Sequence, residues 1–361
     1  MRKFHHLFLL LVFTILIMSG CQSRTETTPI SQPVASPLST QVSKPVEEKN
    51  PDKQNARSLC DDGIKDGKKG NLKEAIKKFD MAIKKDPRFA EAYYNRGVAF
   101  SMKKKYKNAL NDFNRVIDLD PKYDGVYLNR GLAYEKSGEV DKAEKDYNEA
   151  IKIKPGNHLA LFSLGLIEMR RDNFKKAADY FKKAVKNNNK FVDGYYNLAY
   201  CQFKMGDLDS AKTNFSFAAN LNDQYGPAFN NRGIIHTIQG NYNKAKGDLD
   251  RAIRVSPSTP EFYDSRGLLY IVKGYYKKGL PNYDAIQKLA PDKAGQYYGR
   301  GFIYFKLGKK KEAKETIKKG IKLDTDGSKL EWLKELESLS KDNQTNKTVN
   351  EMISLIKKYS E

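Results

Sequence analysis

Few side chains in this sequence are placed to do chemistry. There are four histidines and three cysteines in 361 residues. Beyond the apolar leader only His158 and His236 remain, and neither has a second His or a Cys at a metal-ligand spacing. The pairs Gly67-Lys68 and Gly308-Lys309 lack the preceding glycine and following hydroxyl of a phosphate-binding loop. No catalytic residue, metal or cofactor is therefore expected, and the chain reads as a non-enzyme. What does recur is opposite charge at one fixed spacing: Arg96 with Asp112, Arg130 with Asp146, Arg232 with Asp248. Where the arginine is missing its counterpart changes as well, giving Asp62 against Lys78 and Leu164 against Tyr180. This covariation predicts ion pairs between two helices of one structural unit and gives the arginines a structural role. Arg266 against Asn282 and Arg300 against Thr316 depart from it.

The spacing belongs to a 34-residue pattern that runs eight times through 56–327 without insertion or deletion. Units begin at Ala56, Ala90, Asp124, His158, Val192, Gly226, Pro260 and Ala294. Position eight is Gly except at Ala199, and position twenty is Ala except at Gly279. Position twenty-four is large and apolar, from Phe79 to Ile317, and position thirty-two is Pro at Pro87, Pro121, Pro155, Pro257 and Pro291. Two antiparallel helices approach closely only where side chains are small, so the Gly of a first helix and the Ala of a second mark their contact, with the large residue filling the space beside it. Pro closes the second helix by disfavouring helical geometry in the residue before it. Gly70-Asn71, Gly206-Asp207 and Gly240-Asn241 supply the left-handed residue that follows a first helix. Unit seven, with Gly279 and Pro281 inside its second helix, is expected to be the softest.

The motifs YYNRGVAF at 93–100, YLNRGLAY at 127–134 and KAEKDYNEAIKIKP at 142–155 resemble the tetratricopeptide repeat family, and the resemblance extends over 56–327. It implies an all-α fold, a right-handed α-α superhelix or solenoid whose inner face is built by the first helices and binds extended peptides or helices. At position six, which faces that groove in the family, stand Asn95, Asn129, Asn197 and Asn231, with Ser163 and Ser265 among them. Asparagine donates and accepts at once, so the row either bonds a peptide backbone or simply solvates exposed positions. Tyr94, Phe162, Tyr196 and Phe203 on the same face would supply side-chain pockets. The Lys and Asn set with which some members clamp a C-terminal carboxylate is missing, since Cys60 and Ile64 stand where it would begin.

Residues 1–20 read as an export signal: Arg2 and Lys3, an apolar run from Leu7 to Met18, then small residues before Cys21. The run is shorter than the ~20 residues of a membrane-spanning helix. Ile17-Met18-Ser19-Gly20-Cys21 resembles a bacterial lipoprotein box, which implies a lipid on Cys21 and an anchored mature chain. Gln22 after the cysteine, rather than Asp, implies the outer membrane, facing the periplasm, where two membranes are present. The remainder of 21–55 is rich in Ser, Thr, Pro and Gln and is expected to be a disordered tether. Cys60 and Cys201 fall in units one and five, too far apart for the ~7 Å limit of a disulfide, and are expected as buried or half-buried thiols. After the last unit, 328–340 opens with the capping box Ser328-Lys329-Leu330-Glu331 and carries Leu330, Trp332, Leu333 and Leu336 on one face, as a solenoid cap requires. A polar linker within 341–361 leads to Thr348-Val349-Asn350-Glu351 and a short amphipathic helix, whose apolar side needs cover from the cap, the groove or a partner.

The chain has 65 basic and 44 acidic residues, a formal charge of +21. Most lysines lie on second helices, as in Lys77-Lys78, Lys84-Lys85 and Lys182-Lys183, on an outer face and near C-termini where the helix dipole favours cations. Such a surface also attracts anionic lipid or envelope polymer; nucleic acid is not an expected partner of an exported chain. Two readings follow. One is a membrane-tethered scaffold that recruits or assembles envelope proteins through the concave groove. The alternative is a structural protein that binds anionic lipid or cell-wall polymer through its basic outer face.

Overall fold

The computed structural model describes residues 51–292 and 294–323. The leader, Cys21, the tether up to residue 50, the capping helix and the tail helix lie outside the described residues. Those described form sixteen helices and no strand. They divide into two compact units, 51–207 and 208–323, with the boundary between the two helices of the fifth repeat.

The first unit contains α1 (Pro51–Lys68), α2 (Leu72–Lys85), α3 (Ala90–Met102), α4 (Tyr106–Leu119), α5 (Val126–Lys136), α6 (Val140–Ile153), α7 (His158–Arg170), α8 (Phe174–Asn187) and α9 (Val192–Lys204). Each first helix from α1 to α7 packs on the second helix after it, and that second helix packs on the next first helix. The small residue at position eight is what allows this. A Cβ on Gly63 would lie 2.6 Å from Phe79 Cε1, and one on Gly131 would lie 2.6 Å from Tyr147 Cε1 and 3.3 Å from the Ala143 carbonyl oxygen. The ring at position twenty-four thus rests directly on the glycine, and Phe79, Phe113, Tyr147 and Phe181 are fully buried. The turn uses one left-handed residue at position fifteen of every repeat in this unit, Gly70, Gly138 and Gly206 but also Lys104 at φ 57° and Asp172 at φ 59°. Helix α1 begins at Pro51, inside the stretch expected to be tether. Proline is well suited to a first helical position, and Asp52 in the first turn favours the dipole and bonds Lys85 at 3.1 Å.

The second unit contains α10 (Leu208–Leu221), α11 (Gly226–Ile238), α12 (Tyr242–Val255), α13 (Pro260–Val272), α14 (Tyr276–Leu289), α15 (Ala294–Lys306) and α16 (Lys310–Leu323). The same contacts recur as Gly233 on Leu249, Gly267 on Tyr283 and Gly301 on Ile317. Helix α14 runs unbroken through Pro281. Its Gly279, in place of the usual alanine, is accounted for by the next first helix: a Cβ there would lie 2.8 Å from Ile303 Cδ1.

Candidate interaction surfaces

Position six does not form an exposed polar row. Asn95, Asn129 and Asn197 are 0%, 2% and 2% exposed. Asn95 Nδ2 donates to the Glu91 carbonyl at 3.0 Å, Asn197 Nδ2 to the Asp193 carbonyl at 2.8 Å, and Asn129 Nδ2 to the Tyr94 hydroxyl of the preceding repeat at 2.6 Å. Asn231, in the second unit, is half-buried and accepts from Asn230 Nδ2 at 3.2 Å. The aromatic residues placed beside them are core as well. Tyr94 packs on Phe113 and Tyr123, Phe162 on Phe181 and Phe191, and Tyr196 is buried; Phe203 is half-buried. The cause is the neighbouring repeat, whose first helix lies alongside and covers positions five and six. On α3, α5 and α7 the exposed residue is at position thirteen, Met102, Lys136 and Arg170; Lys204 of α9 is half-buried there, and α1 exposes Lys68 together with Arg57, Ser58 and Lys65. Half-buried Met169 and Phe203 at position twelve adjoin that row. Arg170 is bonded to Glu135, which also accepts from the Tyr147 hydroxyl at 2.8 Å.

The arginines at position seven are fully engaged. Arg96 Nε and Nη2 donate to the two oxygens of Asp112 at 3.0 and 2.6 Å; Arg130 does the same to Asp146 at 2.8 and 2.7 Å, and Arg232 to Asp248 at 2.7 and 2.6 Å. The remaining nitrogen reaches position twenty-five of the preceding repeat, an acceptor that pairing within units does not include. Arg96 Nη1 donates to Asp80 at 2.6 Å, Arg130 to Asn114 at 2.8 Å, Arg232 to Ser216 at 3.1 Å and Arg266 to Asp250 at 2.7 Å. Arg266 also uses Asn282 and so follows the same geometry, whereas Arg300 donates to the Tyr304 hydroxyl and to Gln287 and keeps only the approach to position twenty-five, 3.0 Å from Asp284. Rings at positions four and eleven flank the guanidinium, as Tyr93 and Phe100 flank Arg96. Burial opposes the charge of Arg96, but its hydrogen bonds to the carboxylates of Asp112 and Asp80 keep its pKa above the ordinary arginine value. Asp62 and Lys78 do not pair; Lys78 bonds Asp66, one turn further along α1, at 2.7 Å, and Asp62 bonds Lys65.

Cys60 and Cys201 are free and buried, and burial pushes both thiols up, that of Cys201 to about 12. His158 Nε2 lies 3.1 Å from Asn188 Nδ2, and burial holds its pKa below the usual value. Among the described residues no group of three or more His, Cys, Asp or Glu could hold a metal ion, and no helix is long and apolar enough to cross a membrane.

Tetratricopeptide repeat models match residues 90–123 and 126–157, 180–213, and 159–191 with 297–326, and a TPR repeat model matches 68–104. No curated protein matches the chain by sequence. Among solved structures, PilF of Pseudomonas aeruginosa superposes with a TM-score of 0.55 at 17% identity, over 60% of this chain and 99% of that one. PilW, a type IV pilus biogenesis factor, superposes with a TM-score of 0.50 at 16% identity, over 58% of this chain and 97% of that one. At these identities the likeness is one of fold. The chain thus carries tetratricopeptide repeats in several places, on the all-α frame of paired helices that characterises a tetratricopeptide solenoid.

Proposed function

We propose that this protein is a membrane-tethered scaffold that recruits or assembles other envelope proteins on the face formed by its first helices. The observation that carries the reading is the side-by-side packing of consecutive first helices, joined for example by the bond from Asn129 to Tyr94. Packing of this kind makes a surface out of several repeats of the first unit, on which Lys68, Met102, Lys136 and Arg170 at position thirteen are exposed. Arrays of this type bind elongated partners over many weak contacts. The tether rests on the lipoprotein-like sequence ending at Cys21, and the outer membrane, facing the periplasm, on Gln22. The fold shared with PilF and PilW accords with an envelope assembly role.

A crosslinking pull-down of the full chain from envelope tests the reading. Lys68→Glu, Met102→Glu and Lys136→Glu together are expected to cut partner recovery at least tenfold, and wild-type recovery is expected to survive high salt. Cys21→Ser is expected to release the chain from the membrane fraction. A second reading is favoured by one observation, the exposed lysines of second helices such as Lys73, Lys77, Lys84 and Lys85 of α2. If the triple variant recovers partners as wild type does and high salt abolishes all binding, that basic surface on anionic lipid or glycan replaces the scaffold, because such attraction is screened over a Debye length of ~8 Å at physiological ionic strength.

A further inference from the structure

The turn of the second repeat breaks three local rules at once, and each break places a lysine. Position fifteen, glycine in six of the eight repeats, is here Lys104, left-handed at φ 57°. Position sixteen precedes the second helix, where the positive end of the dipole favours Asn or an acid. Asn71, Glu139, Asn173 and Asn241 stand there in other repeats, but the second has Lys105. Lys107 follows in the first turn of α4, which holds no acid. The other lysine at position sixteen, Lys309, has Glu312 at 4.0 Å; Lys105 has no such partner. Neither the turn nor the dipole calls for these lysines, and departures of this kind concentrate where a site uses the residues.

The charge collected there is unspent. Lys103 caps the end of α3, while Lys68 ends α1 and Lys69 follows it, one repeat away and roughly 10 Å along the stack. Among the described residues the side chains of Lys68, Lys69, Lys103, Lys104, Lys105 and Lys107 have no ion pair or hydrogen bond, and all but the half-buried Lys103 are exposed. Of the acids at the same helix ends, Asp66 is taken by Lys78 at 2.7 Å and Glu74 directly follows Lys73. Next to Lys103 stands Met102, at 53% the most exposed large apolar side chain among the described residues. An unbranched thioether adapts to apolar groups of varied shape. A purely ionic ligand would leave it in water, whereas an acidic chain with an apolar residue satisfies both kinds of group. An extended chain rises about 3.3 Å per residue, so three residues carry it from one repeat to the next.

We propose that the turn of the second repeat binds an acidic segment of a protein partner, with carboxylates on Lys103, Lys104 and Lys105 and an apolar side chain on Met102. Such a site rests on the reading of the first helices as a recruiting face, and it fixes the chemistry of what they recruit. The test is fluorescence anisotropy of the full chain with a labelled peptide of Glu and Ser around a single Leu, beside the same peptide with Gln for Glu and with Ser for Leu. Lys103→Gln, Lys104→Gln and Lys105→Gln together are expected to weaken the parent peptide roughly tenfold. The same loss of charge on α8, by Lys175→Gln, Lys182→Gln and Lys186→Gln, is expected to change it less than about twofold at physiological salt. Met102→Ser is expected to weaken the parent peptide roughly fivefold and to leave the peptide without Leu unchanged. Lys104→Gly is expected to weaken binding while raising the melting temperature, which separates the use of this lysine from any part in the fold. Unaltered circular dichroism establishes that the variants fold. A parent peptide that does not bind, equal weakening by the two triple variants, equal binding of the Gln peptide, or wild-type affinity in Met102→Ser overturns the proposal. Sedimentation with phosphatidylglycerol vesicles that the turn variant abolishes, without peptide binding, overturns it in favour of a lipid surface. In the envelope pull-down, a partner lost from the Lys68, Met102 and Lys136 variant but kept by the turn variant removes this site and leaves the recruiting face standing; a partner kept by both removes the two together.

Discussion

Removing the guanidinium of Arg130 isolates what the ladder of position-seven arginines does. The side chain of Asp146 is only 6% exposed and both its oxygens are held by Arg130 at 2.8 and 2.7 Å, while Nη1 of the same arginine reaches Asn114 in the preceding repeat. Arg130→Met leaves the carboxylate buried without a cation, and breaking a buried pair in this way costs about 3–5 kcal/mol. Arg130 itself is 18% exposed, so water reaches the vacated side and the lower end, about 3 kcal/mol, applies. The lost bond to Asn114 adds no more than ~1 kcal/mol. Adding Asp146→Leu removes the orphaned charge and puts apolar groups at both positions, as Leu164 and Tyr180 already do in the fourth repeat. The double variant is therefore expected to regain about 2 kcal/mol of the loss, because a buried pair exchanged for apolar side chains of similar volume is close to neutral. Amide hydrogen exchange of α5 and α6 is the appropriate assay, since repeat arrays open locally and a single melting point averages over them. A single variant costing under ~1 kcal/mol, or a double variant no better protected than the single one, would refute the reasoning that burial of the aspartate sets the scale.

Two backbone substitutions are expected to act in opposite directions in thermal melts. Gly131→Ala drives a Cβ to 2.6 Å from Tyr147 and 3.3 Å from a backbone oxygen, and is expected to cost about 1–3 kcal/mol, whereas Lys104→Gly relieves a left-handed lysine at φ 57° and is expected to gain about 1 kcal/mol. The acid limb of stability should depend on Glu168. Burial alone would raise its pKa, but hydrogen bonds from Lys176 at 2.7 Å and Asn173 at 2.8 Å carry it below the ordinary carboxylate value. A depressed carboxylate stabilises the fold above its unfolded pKa of ~4.3, and that contribution is lost as pH falls through the folded value. Urea unfolding of Glu168→Gln is thus expected to show lower stability than wild type at neutral pH and a shallower decline below pH ~4; parallel curves would contradict it.

The parts of this fold that are legible in the sequence are those decided inside one repeat. Gly131 against Tyr147 and Arg130 against Asp146 each join two residues of the same unit, so their types vary together and the pattern exposes them. Contacts across repeats are harder to read because many residue types serve. Asp80, Asn114, Ser216 and Asp250 all accept from the next arginine and Asp284 pairs with it, so no single letter marks the position. The family resemblance puts Asn95 and Asn129 on an open face, and the neighbouring first helix buries both. The left-handed turn was visible at Gly70 and Gly206 but not at Lys104 or Asp172, where tertiary packing overrides the local preference.

The seam between the third and fourth repeats lacks the mid-helix arginine, since position seven there is Leu164 and Asn148 Nδ2 turns back to the Glu144 carbonyl. Its ionic links have moved to the end of α7. Arg170 reaches Glu135 and Arg171 reaches Glu144 at 2.7 Å, with the two arginines 37% and 41% exposed. Pairs whose arginine stands this far in solvent weaken as salt rises, that of Arg171 with the half-buried Glu144 most, while Arg96 and Arg130, enclosed by rings and carboxylates, do not feel it to the same degree. This joint of the first unit is thereby tuned to the mineral content of its surroundings, loosening in brine and tightening in dilute medium.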